Sequence, residues 1–197
     1  GGLATLTDLG GSTAGAVTID QSQAGVSFAG NLDATTLTLT DTTGTITFAD
    51  GGDVDLGTLS TAAQDYDVAI ESSTFDVTNA TTFANIGAVT LGNDTDDTLT
   101  FTGGLTATAV DQVVLGGGTV ATTNANLTLG DANAEAVSVT ADSTLTAGTG
   151  TIDLGDTVLS DDVTLTLGDG SATPIAMDAI AGTAVGDASD LTFNTTG

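Results

Sequence analysis

The sequence predicts an all-β chain wound as a parallel β-solenoid. Three observations carry that expectation: short segments in which apolar and polar residues alternate, small and β-branched side chains as the apolar stock, and a recurrent Leu-Gly step at strand ends. Alternation with a period of two turns one face of an extended segment inward and the other outward. Hydrophobic residues make up 40% of the 197, but aromatics only 4%, with no Trp and one Tyr, Tyr66. The core is therefore expected to consist of Val, Ile, Leu, Ala and Thr methyls, which suit layered β-structure.

In chain order, the strands of clearest register are 37–40, 45–48, 88–91, 98–101, 126–129 and 163–167, each soon followed by Gly, Asp or Asn. Pro174 is the single proline, so the backbone donors are otherwise free for ladder bonds. Helix signal is scarce; 172–181 is expected to be a short helix or an irregular connection. The steps Leu91-Gly92, Leu129-Gly130 and Leu167-Gly168 lie 38 residues apart, and Leu115-Gly116 and Leu154-Gly155 interleave at 39. That spacing predicts one all-β domain with a 38-residue repeat, most visible over 88–170, each repeat holding two coils of about 19 residues. The alternative is a β-sandwich that polymerises by strand exchange.

The run Gly150-Thr151-Ile152-Asp153-Leu154-Gly155-Asp156, followed by Asp162-Val163-Thr164-Leu165-Thr166-Leu167-Gly168-Asp169, resembles repeats of large secreted bacterial β-solenoid proteins. Filamentous-haemagglutinin-like adhesins and Thr/Ala/Gly/Asp-rich surface-layer proteins are the two groups it is similar to, over roughly residues 32–170. The resemblance implies an elongated extracellular structural protein, often calcium-dependent in the surface-layer case. It carries no catalytic residues across.

Charge narrows the function further. The chain has no Lys, Arg, His or Cys, and its 26 acids leave a net charge of −26. No internal cation opposes them, so folding must recruit ions or tolerate self-repulsion. Disorder, the usual companion of high charge, is countered by a positive mean hydropathy. Nucleic acid and anionic membrane surfaces are excluded as partners because both need Lys or Arg. A Ser nucleophile would lack its His or Lys base, and paired carboxylates acting on a polysaccharide would lack basic residues and aromatic platforms, so no enzyme is expected. Apolar stretches such as 175–177 and 179–185 are too short to span a bilayer. The start at Gly1-Gly2 without Met suggests a processed product or an excised piece. Absent Cys means no disulfide framework.

The acid is nearly all aspartate, with Glu71 and Glu135 the only glutamates. Aspartate serves turns and also hard cations such as calcium. The candidate metal ligands are Asp94, Asp96 and Asp97; Asp50, Asp53 and Asp55; and Asp153, Asp156, Asp161, Asp162 and Asp169, with Asp65 and Asp67 as a further pair. If turns stack between coils, carboxylates lie about 4.8 Å apart, inside the roughly 8 Å Debye length of physiological salt. Each neighbouring pair then repels by about 1 kcal/mol in water and about 3 at an effective dielectric near 20. Bridging divalent ions reverse that sign.

The expected function is that of an extracellular structural protein, a subunit or repeat segment of a filament, sheath, surface layer or adhesin stalk stabilised by calcium. Segments 1–11 and 191–197 are both compatible with strands, so copies of the chain are the expected partners, joined head to tail in an open fibre. A calcium-dependent carbohydrate-binding adhesin module is the alternative, with Phe101 beside Asp94–Asp97 as its sugar platform. Four sequons, at Asn79, Asn93, Asn126 and Asn194, and many threonines leave glycan attachment open.

Overall fold

In the computed structural model, which describes residues 4–131, 136–183 and 188–196, the chain is a β-solenoid of about eight turns. Three parallel sheets run along it, two of nine strands and one of five. Within each sheet every strand but the two at its ends pairs with strands one coil before and after it, as Val68–Ile70 does with Ile46–Phe48 and Val89–Leu91. A β-sandwich is antiparallel and is therefore excluded. No helix occurs among the described residues, and segment 172–181 contains the strand Ile175–Met177 and the start of Ile180–Gly182.

The early coils have two straight stretches each, a short strand such as Val26–Phe28 and a long one such as Leu32–Thr42. From Val68 onward a coil has three, beginning with Val68–Ile70, Thr74–Val77 and Thr81–Thr82. The added corner in the later coils is turned by backbone in left-handed conformation, at Gly104 (φ 110), Asn124 (φ 55) and Gly148 (φ 55). Asn124 reinforces it: its Oδ1 accepts from the Thr149 N–H and hydroxyl one coil on, both at 3.1 Å.

Coil length varies. Hydrogen-bonded neighbours on adjacent coils are 20 residues apart at Gln23 and Thr43, and 25 at Asn124 and Thr149. The 38-residue spacing is therefore not two coils. Leu91 ends a strand of the first sheet, Leu129 one of the third and Leu167 one of the second, so the Leu-Gly step marks three different corners. Gly suits each because the chain leaves a strand there with φ of 77 at Gly92, 66 at Gly130 and 96 at Gly168.

Inward residues stack coil upon coil. Phe28, Phe48, Ile70, Leu91, Leu115, Val139 and Leu159 form one unbroken column. The phenylalanines depart from the expected all-aliphatic core: Phe28, Phe48, Phe75, Phe83 and Phe101 are all buried. Phe28 and Phe48 stack with centroids 5.0 Å apart, Phe75 meets Phe48 edge-on, and Phe101 closes the line between Phe75 and Phe83. Tyr66 is buried beside them, its hydroxyl donating to the Leu39 carbonyl and accepting from the Ala62 N–H, both at 3.1 Å. Burial pushes that phenol above its ordinary pKa.

Candidate metal centre

The parallel register builds an acidic feature that turn-by-turn reading does not reveal. Asp33, Asp55 and Asp76 occupy the same outward position on three successive strands of the second sheet. In-register strands hold such side chains about 4.8 Å apart, so the three carboxylates form a row with like charges directly opposed. The Thr13 hydroxyl donates to Asp33 Oδ2 at 3.2 Å and caps the row on the preceding coil. Asp55 is a sequence candidate through its neighbours Asp50 and Asp53; Asp33 and Asp76 are not, because each stands apart from other acids in the sequence. Their signal is an Asp between two apolar residues, in Leu32-Asp33-Ala34, Val54-Asp55-Leu56 and Phe75-Asp76-Val77.

A second acidic feature sits at the corner between the first and second sheets. Asp97 is 3% exposed, and its Oδ2 accepts the N–H groups of Asn93 at 2.9 Å and Asp94 at 3.1 Å. That carboxylate closes its own turn, as aspartate commonly does. Asn93 Nδ2 donates to Asp50 Oδ2 at 3.1 Å, reaching past the intervening coil, which contributes Glu71. Burial holds the Glu71 pKa above 4.5, and the charges of Asp50 and Asp97 raise it further. Asp94 accepts the Thr95 hydroxyl at 3.3 Å, and Asp96 is exposed.

The remaining candidates are dispersed. Asp53 is exposed, and its N–H donates to Asn31 Oδ1 at 2.9 Å. Asp153 stands on the outer face of the third sheet between Thr128 and Ala176. Asp156 accepts the Ala179 N–H, and Asp67 that of Ala88. Asp161 and Asp162 share an exposed turn in which Asp162 has φ 57. Asp169 accepts the Ser171 N–H at 2.9 Å, and hydrogen bonding to Ser171 lowers its pKa. Asp153, Asp156, Asp161, Asp162 and Asp169, close in sequence, thus fall on one face and three different corners. Among the described residues, no three acidic side chains converge to hold one metal ion. The row Asp33–Asp55–Asp76 is linear, so it offers adjacent pairs rather than a cage.

Phe101 is fully buried and cannot serve as a sugar platform. All four sequon asparagines are exposed. A groove of about 460 Å³ lies over the second sheet, lined by Thr95, Thr119, Asp142, Thr144, Thr164 and Thr166 among others. Among the described residues no helix is long and apolar enough to cross a membrane. Comparison with protein-family models, curated proteins and solved structures finds no match to this chain.

Proposed function

We propose that the chain is an extracellular structural element, a subunit or segment of a filament, sheath, surface layer or adhesin stalk, whose acidic coils are held together with the help of calcium. The observation that supports this reading most is the unbroken coil-on-coil ladder. Each coil offers the next a full set of strand edges and a matching row of apolar side chains, so the architecture grows in one dimension. The pairing that joins Thr164–Leu167 to Asp190–Phe193 within the chain would equally join a further coil, whether from the same chain or from another copy.

Calcium acts in this reading by bridging neighbouring carboxylates of the Asp33–Asp55–Asp76 row, with water completing the six to eight oxygens it prefers. Two protein ligands per ion imply weak binding, in the range of roughly 10⁻⁴–10⁻³ M typical of extracellular modules. Electron microscopy of the purified chain in calcium tests the assembly: filaments or sheets are expected, and dispersed monomers at every concentration would remove self-assembly from the proposal. Melting with and without EGTA tests the ion separately, because an unchanged transition leaves calcium no role. The sugar-binding reading has lost its aromatic platform and is not carried forward.

A further inference from the structure

We propose that the second sheet carries an ice-binding face, formed by a ladder of threonines that presents a regular row of free hydroxyls. Thr74, Thr98, Thr119, Thr144, Thr166 and Thr192 occupy one outward position on six consecutive coils. Two residues further along their strands Thr100 and Thr146 add two hydroxyls beside the ladder, with Ala121 between them and Asp76 on the coil before Thr100. Adjacent hydroxyls in the ladder are about 4.8 Å apart, and Thr100 and Thr146 stand about 6.6 Å to its side, both distances set by the backbone. None of the six ladder hydroxyls is hydrogen-bonded to another protein group, whereas Thr40, Thr122, Thr157 and Thr173 bond inward to backbone carbonyls.

Charge identifies the occupant. In a chain of net charge −26, the outward positions of the four strands from Thr98 to Leu167 are Thr98, Thr100, Thr119, Ala121, Thr144, Thr146, Thr164 and Thr166, with no acid among them, while Asp142 borders them beside Thr164 and Asp53, Asp76 and Asp190 border the ladder's two ends. A second copy of the chain or an anionic polymer brings negative charge and is repelled by the flanks. Ice is uncharged and periodic in two directions. Each of its surface oxygens donates and accepts, as a threonine hydroxyl does. A repeat fixed by in-register strands matches a crystalline surface at many points at once, where a flexible polymer meets only a few. Many weak contacts then act together, as in multivalent binding.

Ice-affinity partition tests this: the folded chain in calcium is exposed to slowly growing ice, and the fraction taken into the solid is measured against an inert protein of similar charge. Enrichment is expected for the wild type, with a loss of roughly tenfold for Thr144→Tyr and for Thr98→Tyr. Thr90→Tyr, on the outward face of the first sheet, is expected to leave uptake unchanged, and circular dichroism identifies any variant that has unfolded. Absence of wild-type enrichment overturns the proposal. So does an equal loss in Thr90→Tyr, or retention on a crystalline neutral polysaccharide without uptake into ice. The result does not depend on whether the chain polymerises.

Discussion

At the scale of single residues, register converts modest local features into opposing forces. Asp55 has a like charge on each side, from Asp33 and Asp76. Asp55→Asn removes both repulsions while keeping shape, so in EGTA it is expected to stabilise the fold by about 1–2 kcal/mol. A thermal melt should rise by roughly 2–8 °C for a chain of this size, and the calcium-induced increment should shrink. A lower melting temperature in EGTA would show that the row is not under electrostatic stress. Glu71 has a folded-state pKa raised by burial and then by Asp50 and Asp97, so the folded chain binds its proton more readily than the unfolded chain. Its contribution is most favourable at low pH, where both states are protonated. It declines as pH rises from the unfolded value through the raised folded value, and the penalty is complete above that. Glu71→Gln should therefore raise the melting temperature at pH 7 and have little effect at pH 4; equal shifts at both would locate the effect outside titration.

At the scale of elements, the strands were readable and the corners were not. The segment 98–101 alternates Thr-Leu-Thr-Phe and forms the strand Thr98–Phe101, because which side chains point inward is a local property of extended backbone. Corner geometry depends on what the coil beneath offers. Gly92 has φ +77, and a methyl group there would collide with the Gly117 carbonyl of the next coil. Gly92→Ala is expected to cost about 2 kcal/mol or more, read by denaturant unfolding, through both strain and displacement of that neighbour. Phe48 lies between Phe28 and Phe75 at the two-sided end of the stack. Phe48→Ala should destabilise by about 3–5 kcal/mol, and the same measurement checks it. The sequence held these phenylalanines in plain view, but their low number concealed that they gather in one region of the core.

For the whole molecule, the dominant fact is a net charge of −26 on a stack of closely spaced coils. Monovalent salt shortens the Debye length from about 30 Å at 0.01 M to about 10 Å at 0.1 M, so stability should climb over that range. Millimolar calcium should reach the same plateau at far lower ionic strength if it bridges carboxylates, whereas coincident sodium and calcium curves at matched ionic strength would reduce its action to screening. The sequence by itself determined the class, all-β, because alternation and β-branched residues dictate extended segments. A solenoid was the expectation, but alternation alone left a β-sandwich open, and only the parallel pairing between coils excluded it. The sequence also settled that no basic group opposes the acids. Only the tertiary structure decided which side chains share a row. Corners of unequal length put paired neighbours 20 residues apart at Val26 and Ile46 but 26 apart at Thr164 and Asp190, so linear spacing cannot align them. Leu91, Leu129 and Leu167 therefore share a motif yet lie on different sheets, while Asp33, Asp55 and Asp76 stand side by side. Backbone pairing between coils fixes that alignment, and no run of consecutive residues encodes it.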